Sequence, residues 1–306
     1  MPYQTNASIE EIVDLYDGFI LDQFGVLHNG AHGLEGAPEC VKALHAKGKK
    51  LIILSNSSSP SAAAIAKLPK LGYDPSMLVG AVTSGQEAIK YLAETYPGKK
   101  AIFFTWDKTH HTTQQGFLEK CGGIQPTNSV EEADFVLLHG VQVLLGPNGD
   151  ETSLDGYMQT GDMSSVIEPM LKKCAARNLP MVCANPDFIM VRPDGTNAHM
   201  PGKLAKKYEE LGGSCTSFGK PHAAHFEACV REIGLPKDKV VHVGDSLHHD
   251  IAGANAAGIA SVFVVGGVHR EEVGSKLGEM PPRDKLDELF AQHSQTPTHV
   301  VPMFRM

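Results

Sequence analysis

No stretch of the 306-residue chain approaches the roughly 18 uninterrupted apolar residues that a membrane-spanning helix requires, so no span is expected. A basic excess is missing too. Lys and Arg number 27 against 35 Asp and Glu, and the formal charge of −8 argues against a broad nucleic-acid footprint. It does not exclude a small phosphate site, which needs only one or two local cations. The six cysteines (Cys40, Cys121, Cys174, Cys183, Cys215 and Cys229) include no C-x-x-C pair. Their wide spacing points to reduced core thiols in a cytosolic protein and away from zinc ligands. The opening MPYQTNASIEEIVDLY lacks the apolar core of a secretory signal, so a cytoplasmic location is expected. Internal repeats are absent. What remains, 42% hydrophobic and 20% charged, fits a soluble globular protein of one large or two ordinary domains.

What is present is a series of apolar runs that end in polar residues. Phe19-Ile20-Leu21 runs straight into Asp22, with Gly25 three positions later. A continuous run without alternation predicts a strand buried on both faces, as in parallel sheets. By itself Asp22 before a glycine is a turn. Leu51 to Leu54 is a second such strand, ending at Ser55-Asn56, and Val240 to Val243 is another, ending at Gly244-Asp245-Ser246. Ser261 to Val265 is a further strand, and a small-residue helix from Ile251 ends at Gly258. Between the strands lie a helix over Pro38 to Ala46 and an Ala-rich helix capped by Ser59, with Pro60 first and Pro69 ending or kinking it. Ser84 and Glu87 have capping-box spacing for the next helix. Strands alternating with helices predict an α/β fold with a doubly wound parallel sheet.

The middle changes character. Ala101 to Phe104 and Phe135 to Leu138 read as strands, followed by a Gly-, Asp- and Ser-rich stretch over 146–162 that is too long for an ordinary connection. A helix over Val166 to Ala176 and a strand over Met181 to Ala184 complete this segment. The expected organisation is a core of 1–82 and 187–306 with an inserted second domain over 83–186. The last dozen residues read as a tail. Trp106, Asp107, His110 and His111 cluster in the insert, where the aromatic could contact a ligand ring or simply pack at a strand end.

Four strand ends or helix starts thus carry polar groups: Asp22, Ser55-Asn56, Lys220, and Asp245 with Asp250. Each alone has a plain structural reading, but together at the carboxyl edge of one sheet they suit phosphoryl transfer. A carboxylate can attack phosphorus and carry the group, splitting the reaction into two displacements. An anion attacking an anion needs cations. A hard, oxygen-bound Mg²⁺ held by one or two carboxylates answers that need, with Lys220 as a second positive charge. A Ser hydroxyl and backbone amides would position the phosphate oxygens.

The ordered set Asp22-Gln23-Phe24-Gly25-Val26-Leu27, Leu54-Ser55-Asn56, Gly219-Lys220-Pro221 and Gly244-Asp245-Ser246 with Asp250 resembles the four motifs of the haloacid dehalogenase superfamily. Ala184-Asn185-Pro186-Asp187 and the insert after the second motif resemble its class IIA branch, which includes pyridoxal phosphate, phosphoglycolate and nucleotide or sugar phosphate phosphatases. The resemblance covers roughly 15–270 and implies a Rossmann-like core with an inserted α/β cap of the C2 type. It implies Asp22 as nucleophile, Ser55 and Asn56 near the phosphate, and Lys220 as charge clamp. Mg²⁺ would lie at Asp22, Asp245 and the backbone carbonyl of Phe24, supported by Asp250. The implied substrate is a small phosphorylated metabolite, with neither nucleic acid nor membrane as partner; a homodimer through the cap is left open.

One position departs from the pattern. Phosphatases of this superfamily carry a second Asp two residues after the nucleophile, to protonate the leaving oxygen, and here that residue is Phe24. General acid–base catalysis is worth about 10²–10⁴-fold, so alkyl phosphates are expected to be poor substrates unless another group replaces it. His28, His248 and His249 are candidates by residue type only. Three readings follow: a Mg²⁺-dependent phosphohydrolase, a dehalogenase-type hydrolase, and a binder that keeps the fold without turnover. Dehalogenase members also carry an aromatic at this position, but they need no metal, whereas Lys220, Asp245 and Asp250 preserve a metal-and-phosphate apparatus.

Overall fold

A computed structural model describes residues 3–109, 114–154, 156–192 and 194–306. Among them a seven-stranded, all-parallel sheet runs in the order Gln4–Thr5, His299–Val301, Ala260–Val264, Val240–Gly244, Gly18–Leu21, Lys50–Ser55, Gly80–Thr83. The uninterrupted apolar runs have the predicted cause. Phe19 and Leu21 enter one core cluster with Leu51, Ile53, Val241 and Val243, while Ile20 joins Ile52, Leu54 and Val240 in another on the opposite face. Helix Ala37–Ala46 covers the first face through Cys40, Val41 and Leu44, and helix Ala223–Ile233 covers the second through Phe226, Cys229 and Ile233. This is a doubly wound, Rossmann-like α/β core.

From Gly18–Leu21 the chain winds outward to Lys50–Ser55 and Gly80–Thr83, then resumes on the other side at Val240–Gly244. The order therefore reverses between Gly18–Leu21 and Val240–Gly244. Connections leave to opposite faces at such a switch point and open a crevice beyond the strand ends, where α/β proteins bind ligands.

A second, mixed sheet is inserted, in the order Cys215–Ser217, Met181–Cys183, Phe135–Leu138, Lys100–Thr105, Val143–Leu145, Glu151–Ser153. Its central strands also bury both faces: Ile102, Phe104, Val136 and Leu138 on one, Ala101, Phe103, Phe135 and Leu137 on the other. Cys215–Ser217 pairs in parallel with Met181–Cys183, and helix Gly202–Glu210 packs Leu204 and Tyr208 into the same core. The expected boundary at 186 is thus corrected. Residues up to Ser217 build the inserted sheet, because a three-residue edge strand far along the chain completes it.

Other local expectations shift by one residue. Thr83, not Ser84, caps helix Ser84–Thr95, its Oγ1 accepting from Gln86 N at 3.1 Å. Ser84 instead donates from Oγ to Ala184 O at 2.7 Å, tying the two sheets together. The Ala-rich helix starts at Ser61 with Pro60 at its N-cap, and becomes a 3₁₀ turn at Leu68–Leu71 where Pro69 removes a donor. All six cysteines are free thiols.

The chain's end is not a tail. His299–Val301 is a core strand, followed by buried Met303 and Phe304. His299 is itself buried, with Nε2 3.0 Å from Tyr16 Oη and Nδ1 3.2 Å from Asn6 Oδ1. Burial lowers its pKa from 6.5. Below 6.5 the folded chain then binds fewer protons than the unfolded one, so this contribution is fully present above 6.5 and is lost as pH falls from there through the lowered folded-state pKa. The urea midpoint should be lower at about pH 5 than at about pH 7, and that drop should be smaller in His299→Gln.

Candidate active site

Asp22 follows the central strand by one residue, and its amide continues the ladder by donating to Val243 O at 2.9 Å. The chain then turns sharply, with Leu27 N and His28 N both bonding back to Gln23 O. Gly25 sits at φ 80°, and a Cβ there would fall on the Asp245 carboxylate. Only glycine lets this turn pass so close to the neighbouring strand end.

The switch point brings the motifs together. Asp22, Asp245 and Asp250 are buried, and a carboxylate oxygen from each lies within 4.8 Å of the others. Lys220 Nζ donates to Asp22 Oδ1 at 2.5 Å and lies 2.8 Å from Asp250 Oδ1. His242 Nε2 donates to the same Asp250 oxygen at 2.8 Å, and Ser246 N donates to Asp250 Oδ2 at 3.0 Å. Both oxygens of Asp250 are therefore engaged. Asp245 Oδ2 accepts from Val268 N at 2.9 Å. Asn56 clasps the Lys220 backbone, accepting from its N–H at 2.7 Å and donating to its carbonyl at 3.1 Å, while Nδ2 also reaches Asp187 Oδ1 at 2.8 Å. Ser55 is buried at its strand end, its Oγ accepting from Ser57 N at 3.2 Å.

Two of the three clustered carboxylates, Asp22 and Asp250, thus share one ammonium, and Asp245 has no ion pair with it. Burial raises the Asp22 pKa to about 7 despite the Lys220 charge beside it. Burial and then the charges of Asp22 and Asp250 push Asp245 well up. Burial works the same way on Asp250, but Lys220 and His242 outweigh it and hold this carboxyl well below the usual range. Burial alone would lower Lys220, and the carboxylates of Asp22 and Asp250 overcome it and raise it. An all-oxygen donor set with surplus negative charge matches a hard divalent cation such as Mg²⁺. The residues fit that ion.

Phe24 is half-buried, its ring edge-on to His28 with centroids 4.6 Å apart. His28 Nδ1 accepts from Gly30 N at 3.1 Å, and burial followed by the Lys67 charge lowers its pKa to about 4. His248 stacks on Phe188 at 4.9 Å, and its pKa is lowered to about 4 chiefly by burial. His249 donates from Nε2 to Pro186 O at 3.2 Å and is likewise lowered by burial. All three histidines are held neutral, so none offers an imidazolium near neutral pH.

Trp106 takes the packing role. It is buried in the inserted sheet's core, and its Nε1 donates to Ser58 Oγ at 2.9 Å. Asp107 closes a local turn onto Thr109 N at 2.8 Å. His110 and His111 lie outside the described residues. His242, Gly267 and Val268 were invisible to motif reasoning: His242 sits inside an apolar strand, and the loop 266–268 meets Asp245 only through the fold.

A haloacid dehalogenase-like hydrolase family model matches residues 78–258, a second with that description matches 19–116, and a HAD-hydrolase-like model matches 217–304. The chain is 24% identical over 254 residues to the sugar-phosphatase AraL of Bacillus subtilis, covering 82% of this chain and 83% of that protein. Its fold is similar to a haloacid dehalogenase-like hydrolase from Brucella suis, with a TM-score of 0.74, 23% identity, and 98% and 99% of the two chains covered. It is also similar to a glycerol phosphate phosphatase from Mycobacterium tuberculosis in complex with magnesium, with a TM-score of 0.57, 22% identity, and 88% and 74% covered.

Proposed function

The chain belongs to the haloacid dehalogenase-like hydrolase family, and from that premise we propose that it is a Mg²⁺-dependent phosphohydrolase of small phosphate esters that works through Asp22. One observation carries this reading: the Asp22 carboxylate stands at the switch point with Lys220 Nζ 2.5 Å away and Asp245 within the same oxygen cluster. That arrangement suits a nucleophile beside an electrostatic clamp.

An Asp22 oxygen attacks phosphorus in line with the ester oxygen. The new O–P bond forms as the ester P–O bond breaks, and the leaving oxygen keeps the electron pair. The result is an aspartyl phosphate and an alkoxide or phenoxide, which takes its proton from solvent. Water then attacks the phosphorus and restores the Asp22 carboxylate. Lys220 balances charge on the phosphoryl oxygens, and Asp250, held by His242 and Ser246 N, keeps Lys220 in place. Ser55 and the backbone amides beside it orient the phosphate. Asp22, Asp245 and the Phe24 carbonyl would hold Mg²⁺, which supplies charge neutralisation where two anions meet. The inserted sheet acts as a cap that selects among substrates, with Asp187 on Asn56 and Trp106 on Ser58 joining it to the core.

A panel of phosphorylated metabolites and aryl phosphates, assayed for phosphate release, tests this. Release should require Mg²⁺ and vanish with chelator. Phosphate or Mg²⁺ binding without release on any substrate would instead support a non-catalytic binder.

A further inference from the structure

A second group of three donors lies beside the site: His269, Glu272 and His293, whose potential ligand atoms fall within 4.8 Å of one another. Its hydrogen bonds define its chemistry. The Leu247 amide donates to His269 Nε2 at 3.2 Å, so that nitrogen presents a lone pair. The ring proton therefore sits on Nδ1, 2.8 Å from Glu272 Oε1, which accepts it. His293 Nε2 stands 3.4 Å from the other Glu272 oxygen. A metal on His269 Nδ1 would displace that proton while Nε2 still accepted an N–H, which demands an imidazolate. The cluster is built as a hydrogen-bond relay, not as a ligand set.

The relay leads to the active site. Leu247 is the first residue of the π-helical turn Leu247–Ile251, which carries Asp250 and follows Asp245 by two residues. One residue before His269, the Val268 amide donates to Asp245 Oδ2 at 2.9 Å. At Gly267, a Cβ would fall on the Asp245 side chain, so the loop must pass bare at this point. The segment 267–269 therefore grips the turn twice, once at the Asp245 carboxylate and once at the Leu247 amide. His269 is buried while Glu272 is exposed, so the anchor runs from solvent to the site.

We propose that His269 is a positioning residue for Asp245: Glu272 fixes its tautomer, its Nε2 pins Leu247, and the Val268 amide is thereby held on the Asp245 carboxylate. The inference rests on the reading of Asp245 as a metal-side carboxylate. It deepens that reading by assigning to the loop after strand Ala260–Val264 the orientation of the ligand.

Two substitutions separate positioning from packing. His269→Asn keeps a donor near the Nδ1 position for Glu272 but cannot reach Leu247. His269→Gln places an acceptor near the Nε2 position. Mn²⁺ affinity of metal-stripped protein is read from the free-ion electron paramagnetic resonance signal, beside the Mg²⁺ activation constant and kcat on 4-nitrophenyl phosphate and the melting temperature. His269→Asn should weaken Mn²⁺ binding and raise the Mg²⁺ activation constant by about 10–100-fold, while His269→Gln stays close to wild type. Wild-type metal affinity in His269→Asn overturns the proposal, and so does an equal loss in both variants that follows the melting temperature. An active wild type with an unchanged His269→Asn removes the positioning role and leaves the phosphatase reading standing. An inactive wild type whose Mn²⁺ affinity still falls in His269→Asn does the reverse. A wild type that binds no Mn²⁺ overturns the positioning role outright.

Discussion

Asp22→Asn should lower phosphate release on the order of 10⁶-fold, the scale seen when a covalent nucleophile is removed from a cooperating site. The amide is nearly isosteric with the carboxylate and can still accept from Lys220 through its oxygen, but it is a poor nucleophile. The fold should survive. Three buried carboxylates crowd this site with one ammonium bridging two of them, and the substitution removes one of the competing charges. The melting temperature in chelator should accordingly match or exceed that of wild type. Full activity in the variant, with deamidation excluded by mass spectrometry, would remove Asp22 from the role.

Phe24 sets the second large effect. With no carboxyl two residues after Asp22 and with His28, His248 and His249 held neutral by burial, the leaving oxygen must depart as an anion. The rate should then fall steeply as the leaving group's pKa rises, so aryl and acyl phosphates should be cleaved far better than sugar phosphates. Phe24→Asp should flatten that dependence and raise turnover of poor leaving groups by up to about 10²–10⁴-fold. The ring is only half-buried, against His28 and Gly30, so an Asp there keeps contact with solvent. Its loss of packing must be read from a melting curve beside the kinetics. Efficient wild-type hydrolysis of an alkyl phosphate, with no slope against leaving-group pKa, would mean that another group already supplies the proton.

The site was legible in the sequence where its chemistry is local. Asp22, Ser55, Asn56 and Asp245 end apolar runs whose length and lack of alternation mark buried parallel strands, and strand ends are where such sheets place ligands. Lys220 announces itself ahead of a helix. What stayed hidden depends on partners distant in the chain. Val268 reads as an ordinary loop residue until its amide meets Asp245, and His242 reads as an interruption in a strand until Asp250 lies beside it. The sequence puts the inserted domain's boundary at 186 because the apolar run Met181 to Ala184 is the last strand it shows before the chain returns to the core pattern. The three-residue strand Cys215–Ser217, which closes the sheet, has no periodicity to detect. His299–Val301 escaped for the same reason.

Trp106 is the chain's one tryptophan. It lies in the core of the inserted sheet, yet its indole N–H reaches across to Ser58, in the segment that follows Ser55 and Asn56 at the end of the core strand. Indole emission responds to the hydrogen bonding and wetness of its surroundings. The protein therefore carries an intrinsic optical reporter at the junction of its two sheets, and selective excitation at the red edge of the aromatic band reads the state of the Trp106–Ser58 contact without any label. Seven tyrosines add background only at shorter wavelengths. Stopped-flow fluorescence can thus test for a change at this contact during product formation in the unmodified enzyme.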